Sequence, residues 1–428
     1  MRRSARLVCA AGVVAALFMS AACSRAPEPS VLLVGLDGAS WTVIERLLRT
    51  NELPTFARLL REGAHTPSFG TLEPTRSPAL WTSVATGRQP QDHGILDFTE
   101  TLPSGQRIPV TNLGRKVPAI WEIASREGLR VGVVSWWGSW PAESVDGYFV
   151  TDRANPAMTN FWVEDKNFWT APASAAEPGR DFLPVDLAPI LEREWIARDP
   201  FPFDDVARRS KISAEQLRLL REAPWNERTR YSLFKTYYAV DYPLFSIAKR
   251  LLRERPTALQ LLYLRGPDPL QHYAWDLIEP EKFRTPPVDA ERDRGLVEGI
   301  YRTLDGLLAE LLAAKRPETW LVVMSDHGFE PMPESVDDPN RTRSGAHTVK
   351  AKGVFFVVGP HVKPGARIAA DAGLLDVMPT VAWLLGLPIS EELPGRVLEE
   401  AFDESFVESR PARRIPAYGA RTPSVGLP

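Results

Sequence analysis

Six side chains that could bind metal ions are spread widely along the chain, each just after an apolar run or in the loop that follows one. All six offer nitrogen or oxygen and none offers a thiolate, which suits a pair of divalent cations. The three histidines favour zinc, with manganese as the alternative. The six residues are Asp37, Asp268, His272, Asp326, His327 and His347.

A seventh residue, Ser77, lies in the run Glu-Pro-Thr-Arg-Ser-Pro at positions 73–78, immediately before a helical pattern. This is where a nucleophile that faces a two-metal site is expected. Proline in the first helical turn suits a helix that starts there, and the free N–H groups of such a start can bind phosphoryl oxygens. Thr75 is the alternative nucleophile in the same run.

The candidate ligands follow three apolar runs that have the length of buried strands. Asp37 ends the run 31–36, Asp326 and His327 follow 321–325, and Asp268 and His272 follow 259–264. The carboxyl ends of parallel strands form the crevice in which open α/β sheets bind ligands, so these residues can converge. Asp326 and His327 can reach one ion only from an irregular loop, which the following Gly328 permits.

The wider pattern alternates between strands and helices. Such alternation predicts an α/β fold, with a mainly parallel sheet and helices on both faces. The pattern predicts strands near 31–36, 131–136, 259–264, 320–325 and 354–358, and helices near 41–49, 55–62, 79–86, 118–126, 231–254, 291–314 and 374–385.

Between about 150 and 230 the periodicity gives way to Pro, Trp and charged clusters, which predicts a cap inserted over the site, or else an irregular solvated excursion. The predicted organisation is a signal peptide at 1–22, a tether at 23–30, a catalytic core at 31–150 and 231–400, the cap at 151–230 and a poorly ordered tail at 401–428.

The N-terminus predicts export. Three arginines precede the apolar stretch 7–19, which is too short to span a bilayer, and Ser-Ala-Ala-Cys23 follows. This arrangement resembles a bacterial lipoprotein signal, with Cys23 as the acylated residue that anchors the protein to the cell envelope. An ordinary secretory signal cut near Ala22 is the alternative. Cys9 is the only other cysteine and lies within the signal, so no internal disulfide is expected.

Composition limits the possible partners. The 428 residues are 44% hydrophobic and carry a formal net charge of −3, with no basic run beyond the N-terminus. A nucleic-acid polymer is therefore not expected as a partner. The remaining candidates are small-molecule, lipid or glycan substrates. Nothing in the sequence indicates an oligomeric state.

The ordered motifs resemble the alkaline phosphatase superfamily, and within it the type I phosphodiesterase/nucleotide pyrophosphatase branch with its phosphohydrolase/phosphomutase relatives. The resemblance covers residues 31 to 400 with a variable middle. It rests on Leu-Asp37-Gly, on the stretch 74–94, on Asp268-Pro-Leu-Gln-His272, on Ser-Asp326-His-Gly, on Gly-Ala-His347 and on the helical segment 374–385.

The resemblance implies a three-layer αβα sandwich with an inserted cap, and a specific division of the ligands. Asp37, Ser77, Asp326 and His327 would surround one ion, and Asp268, His272 and His347 the other. It implies that the first ion lowers the pKa of the Ser77 hydroxyl and that the second binds a phosphoryl oxygen and later activates water. In-line displacement through a phosphoserine intermediate follows, with the ions roughly 4 Å apart.

One position departs from the family pattern. Nucleotide pyrophosphatases carry asparagine three residues after the nucleophile, where this chain has Leu80, so direct action on nucleotide diesters does not follow from the resemblance. The sulfatase pattern after the nucleophile is absent as well.

Other readings stay open at this stage. Singly, each ligand could be structural: Asp37 a turn carboxylate, Asp268 an N-cap, Asp326-His327 a plain turn. His93 is expected to support a loop. The favoured function is a two-metal phosphohydrolase acting on phosphate mono- or diesters. The alternatives are a phosphotransferase or phosphomutase with the same site, and a catalytically silent envelope-binding protein.

Overall fold

The computed structural model describes residues 29–102, 104–155, 176–195, 200–225 and 227–422. The strands in these ranges are β1 Ser30–Leu36, β2 Ala64–Phe69, β3 Thr99–Thr101, β4 Arg107–Pro109, β5 Val131–Val134, β6 Gly147–Val150, β7 Phe182–Leu183, β8 Leu259–Leu264, β9 Thr319–Met324, β10 Glu330–Pro331, β11 Gly345–Ala346, β12 Gly353–Val358, β13 Ile389–Ser390 and β14 Arg414–Ile415. The α-helices are α1 Trp41–Arg49, α2 Pro54–Glu62, α3 Ser77–Thr86, α4 Pro90–His93, α5 Ile120–Arg126, α6 Ala188–Glu194, α7 Phe203–Ser210, α8 Ala214–Glu222, α9 Arg230–Glu254, α10 Asp268–Ile278, α11 Ala290–Ala314, α12 Val377–Leu384 and α13 Glu404–Ser409.

Eight strands form one sheet in the order β2-β12-β9-β1-β8-β5-β6-β7. The five strands from β9 to β6 are parallel, whereas β12 and β7 run antiparallel to their neighbours. Strand β1 pairs with β8 and β9 in a register that brings Leu36 opposite Leu264 and Gly35 opposite Met324. The three strands therefore end level, and the loops after them meet at one edge of the sheet. The predicted mainly parallel sheet is confirmed.

Each face of the sheet is covered by its own layer of helices. Because side chains alternate along a strand, Leu32 and Val34 pack with residues of α1, α2, α9, α10 and α11, whereas Val31 and Leu33 pack with α3, α5 and α12. Each buried Val or Leu side chain contributes roughly 1.5–3 kcal/mol, so β1, buried along its whole length, is firmly held. The predicted three-layer αβα arrangement is confirmed.

The sequence pattern did not predict strand β2 or helix α10, and α10 carries two of the candidate ligands. Strand β2 has the sequence Ala-His-Thr-Pro-Ser-Phe, which lacks an apolar run, and its proline is accommodated because β2 is an edge strand. Helix α10 begins at Asp268 itself, with Pro269 in its first turn. Asp268 and His272 are therefore one turn apart on the same side of a helix, rather than in an open loop.

The described parts of the predicted cap pack against the core layers. Strand β7 extends the sheet beyond β6, and α7 and α8 pack on α9 and α11, where Gln216 donates to the Arg292 carbonyl at 2.6 Å. Residues 156–175 lie outside the described ranges, so a lid over the site stays a prediction. Among the described helices, none is both long and apolar enough to cross a bilayer.

The described part of the predicted tail, residues 401–422, contains α13 and β14, whereas the sequence predicts a poorly ordered segment. Strand β14 pairs with β13, and the Arg126 guanidinium donates to the carbonyl of Ala420 at 2.6 Å and to the hydroxyl of Thr422 at 2.9 Å. A proline-rich segment has few apolar anchors, but its backbone carbonyls can be fixed by arginines of the core. Sequence periodicity cannot reveal such contacts.

Candidate metal centre

The loops after β1 and β9 and the start of α10 bring the candidate ligands together at the carboxyl edge of the sheet. Gly38, directly after Asp37, adopts a φ of +67°, and a Cβ atom there would lie 2.9 Å from the Cβ of Asp268. Both the turn and the close approach require glycine. Gly328 does not have a positive φ: a Cβ atom would lie 2.4 Å from the Lys352 carbonyl oxygen, so close packing rather than a permissive turn explains this glycine.

The first group consists of Asp37, Asp326 and His327, all buried. His327 Nε2 lies 3.4 Å from Asp326 Oδ2 and 3.5 Å from Asp37 Oδ1. The other oxygen of each carboxylate is held: Asp37 Oδ2 accepts from the Tyr263 hydroxyl at 2.6 Å, and Asp326 Oδ1 accepts from the Gly38 N–H at 3.3 Å. One oxygen of each aspartate therefore positions the side chain and the other faces His327.

The second group is centred on Asp268. Its Oδ1 atom lies 3.5 Å from His272 Nε2, 3.7 Å from His347 Nε2 and 3.9 Å from His327 Nε2. The rings of His327 and His347 stack with centroids 3.7 Å apart. His327 consequently borders both groups, and the structure brings all six predicted ligands into one cluster.

Burial shifts the pKa values of this cluster against ionisation. It raises the pKa of Asp37 to about 6, although hydrogen bonds from Tyr263 and Trp81 and the nearby hydroxyl of Ser77 lower it in part. Burial together with the charge of Asp37 raises the pKa of Asp268 and of Asp326 well above the usual range. Carboxylates packed this closely need positive charge between them to remain ionised.

The histidines do not supply that charge. Burial lowers the pKa of His272 and of His327 well below the usual range, and that of His347 to about 4. The imidazoles are therefore neutral, and their contacts with the carboxylates are not ion pairs. Neutral imidazole and carboxylate oxygen are the forms that bind divalent metals.

The spacing of the buried donor atoms fits metal ions. Four of them have no hydrogen-bond partner among the described residues: Asp37 Oδ1, Asp268 Oδ1, Asp326 Oδ2 and His327 Nε2. Tetrahedral zinc with ligands at about 2.1 Å separates them by about 3.4 Å, which matches the 3.4 and 3.5 Å separations from His327 to Asp326 and Asp37. The residues present therefore fit divalent cations.

The opposite ring nitrogens of two histidines fix their tautomers. His327 Nδ1 lies 3.1 Å from the Gly328 carbonyl oxygen, and His272 Nδ1 lies 3.0 Å from that of Gly345. Since a carbonyl only accepts, each Nδ1 carries the hydrogen and each Nε2 keeps its lone pair. A hydrogen bond of this kind orients a metal-binding imidazole.

Ser77 is the first residue of α3, is buried, and lies close enough to Asp37 to lower the pKa of its carboxyl. The hydroxyl of Thr75, the other candidate nucleophile, donates instead to the His347 carbonyl at 3.2 Å. Arg76 turns away to form an ion pair with Asp97. Of Thr75, Arg76 and Ser77, Ser77 is therefore the one whose side chain lies next to Asp37.

Two aromatic residues that hold Asp37 were not predicted. The indole N–H of Trp81 donates to Asp37 Oδ2 at 3.2 Å, alongside the Tyr263 hydroxyl, and the two rings contact each other edge to face. A tyrosine in a mostly apolar strand could have indicated this contact from the sequence, since a buried tyrosine hydroxyl needs a hydrogen-bond partner. Leu80, at the position of the family asparagine, is a buried residue of α3 that packs in the core.

Replacing Tyr263 with phenylalanine should weaken zinc binding about 10–100-fold while the fold is retained, because Asp37 loses the donor that fixes its second oxygen. Competition with a chromophoric chelator measures this affinity. Tyr148→Phe, which removes another buried hydroxyl from the same sheet, is the matched control. Equal zinc affinity in the Tyr263→Phe variant and the wild type would show that Tyr263 does not position Asp37.

Side chains of α9 and α10 form hydrogen bonds with the backbone of the loops that carry Asp37 and Asp268. Buried Asp241 on α9 accepts from the N–H groups of Arg265 and Gly266 at 3.1 and 2.9 Å, just before Asp268. The Gln271 side chain donates to the Gly38 carbonyl at 2.7 Å. These contacts fix the backbone on both sides of the ligand cluster.

The remaining histidines lie elsewhere. His93 is buried, accepts from the Ile95 N–H at Nδ1, and contacts the Ser83 hydroxyl and the Ala79 carbonyl of α3 at Nε2. It therefore joins α3 to the loop that follows, as predicted. His65 stacks on Phe356 and His361 on Phe406.

Comparison with known proteins identifies the family to which this chain is similar. The family model for type I phosphodiesterase / nucleotide pyrophosphatase matches residues 31–376. A phosphopentomutase of Symbiobacterium thermophilum is 31% identical over 115 residues, or 26% of this chain and 24% of that protein. The chain therefore spans about a quarter of the length of this curated relative.

Solved structures are similar at lower identity. Murine ectonucleotide pyrophosphatase / phosphodiesterase 5 in complex with AMP shares 14% identity, covering 88% of this chain and 100% of that chain with a TM-score of 0.48. Phosphonoacetate hydrolase from Sinorhizobium meliloti in complex with phosphonoformate shares 17%, covering 73% and 60%, with a TM-score of 0.41.

Proposed function

Because this chain belongs to the type I phosphodiesterase / nucleotide pyrophosphatase family of the alkaline phosphatase superfamily, its chemistry is that of phosphoesters, and we propose that it is a two-metal phosphohydrolase with Ser77 as nucleophile. The observation that carries the proposal is the pair of ligand groups that share His327, with Ser77 next to Asp37 of the first group.

The first group with Ser77 would hold one ion, and Asp268, His272 and His347 would hold the other. Zinc fits the histidine content, and manganese is the alternative. Bound ions would neutralise charge on the phosphoryl oxygens and lower the pKa of a nearby hydroxyl. The first turn of α3 contributes N–H groups without intrahelical partners next to Ser77, which favours binding of an anion there.

In the proposed reaction the Ser77 oxygen bonds to phosphorus while the bond from phosphorus to the leaving oxygen breaks. The hydroxyl proton goes to solvent, and the departing alcohol takes one up. Water then cleaves the phosphoserine, releasing the phosphate product and restoring Ser77. The start of α3 keeps Ser77 next to Asp37 through both steps.

A panel of p-nitrophenyl phosphate mono- and diesters, assayed with added Zn²⁺ or Mn²⁺, tests the function. We expect metal-dependent release of p-nitrophenol from at least one ester. Failure of every ester despite saturated metal sites would favour the silent envelope-binding protein instead.

A phosphotransferase or phosphomutase is the second candidate, supported by the partial match to phosphopentomutase. In that case an alcohol rather than water captures the phosphoryl group from Ser77. Adding alcohol acceptors to the assay separates the two, because transfer yields a new phosphoester in place of free phosphate.

We also propose that the protein is exported and anchored through Cys23, a residue outside the described ranges. Two or three acyl chains suffice for stable membrane attachment, whereas one gives only marginal binding. Cys23→Ala should therefore block processing or move the enzyme to the soluble fraction, as fractionation and mass spectrometry of the N-terminus can show. Wild-type protein that is already soluble, with an unmodified N-terminus, would instead indicate a secreted enzyme.

A further inference from the structure

Arg343 is a cation beside the metal centre that forms no ion pair among the described residues, and its guanidinium lies 5.9 Å from the centre of the Tyr273 ring. Its guanidinium lies 2.8 Å from His272 Nδ1, and its side chain is exposed. Burial raises the pKa of Asp268 and lowers that of His347, and the positive charge of Arg343 lowers both pKa values. Arg343 thus lies at the edge of the second ligand group, close enough to interact electrostatically with its members.

Neighbouring arginines are already committed to partners within the protein. Arg76 pairs with Asp97, and Arg341 donates to Asp276 at 3.1 Å and to the Thr285 carbonyl at 2.7 Å. Asp276 also accepts from the Ser344 hydroxyl at 3.1 Å, so the loop that carries Arg343 is fixed to α10. The loop is anchored, and the Arg343 guanidinium at its edge is available for binding.

The contact with His272 does not give the Arg343 guanidinium a hydrogen-bond acceptor. The same Nδ1 atom donates to the Gly345 carbonyl when Nε2 keeps its lone pair for a metal, and an N–H group cannot also accept from a guanidinium. Arg343 then needs another acceptor, and an anionic group of a bound substrate can supply it.

We propose that Arg343 binds a second anionic group of the substrate, a carboxylate or a further phosphate, on the part of the molecule beyond the reacting phosphoryl group. The guanidinium lies on the Nδ1 edge of His272, whereas Nε2 faces Asp268 and the metal centre. Arg343 is therefore placed outside the reacting group, and it selects phosphoesters with an added negative charge. This inference rests on the proposed phosphoester function.

The test compares two diesters with the same leaving group, methyl p-nitrophenyl phosphate and 2-carboxyethyl p-nitrophenyl phosphate. In wild type, we expect kcat/KM to be about tenfold or more higher for the carboxylate ester, mainly through KM, since a hydrogen bond between two charged groups is stronger than one between neutral groups. Arg343→Ala should remove this preference, because it lowers kcat/KM for the carboxylate ester about tenfold more than for the methyl ester. Arg343→Lys should keep part of it, and Lys350→Ala, an exposed cation in the loop after His347, should keep it all.

A binding measurement separates this inference from the proposed function. Calorimetry on zinc-loaded protein compares methylphosphonate with 3-phosphonopropionate, which adds a carboxylate. If neither diester is cleaved but wild type prefers 3-phosphonopropionate and Arg343→Ala does not, the hydrolase proposal fails and the Arg343 site stands. The inference is overturned if wild type shows no preference in binding, or if Arg343→Ala weakens both phosphonates equally.

Discussion

Ser77→Ala should lower turnover by roughly three or more orders of magnitude while the protein keeps its fold and its metal content. The reason is that the variant loses the oxygen that attacks phosphorus, whereas positioning and charge neutralisation remain and leave a residual rate. Steady-state hydrolysis of the best p-nitrophenyl ester measures the loss. Rapid quenching of wild type with a ³²P-labelled ester should trap a phosphoserine that the variant lacks.

Ser83→Ala is the matched control, because it removes a buried hydroxyl from the same helix, where it contacts His93 rather than the metal centre. We expect turnover close to wild type in this variant. Wild-type rates in Ser77→Ala would show that water attacks directly or that Thr75 is the nucleophile, and Thr75→Ala together with the trapping experiment would distinguish these two cases.

Removal of the metal ions should abolish activity and destabilise the protein. Purified protein is expected to contain about two divalent ions per chain, which bind the folded state and not the unfolded chain. At a free metal concentration a thousand times Kd, each ion stabilises the folded state by about 4 kcal/mol. Dialysis against a chelator should therefore lower both turnover and Tm, and added Zn²⁺ or Mn²⁺ should restore them.

Elemental analysis and thermal unfolding check this prediction independently of any substrate. Asp268→Asn is a second variant for this test, since Asp268 Oδ1 faces three imidazoles. This substitution should lower the metal content, and a chelator should then change the Tm much less than it does in wild type. Protein without divalent ions, unchanged in Tm when they are added, would contradict the two-metal site.

The ligand chemistry and the core of the fold were predictable because their signals are local. The apolar runs at 31–36 and 259–264 are long enough to be buried strands, and they appear as β1 and β8 within a residue. Glycine and proline mark the loops and helix starts around Asp37, Ser77 and Asp268. The boundaries of the cap and the role of Cys23 stay predictions.

The sequence by itself determined which residue types could bind metal and that they follow strands, because ligand chemistry and strand periodicity are properties of short segments. Only the tertiary structure decided how those residues meet. Tyr263 holds Asp37 across 226 positions, His327 faces both Asp326 and Asp268, and Thr75 turns to the His347 carbonyl, leaving Ser77 with Asp37. Such contacts depend on strand order and register, which bring together segments that are far apart in the chain and whose local sequences do not indicate their partners.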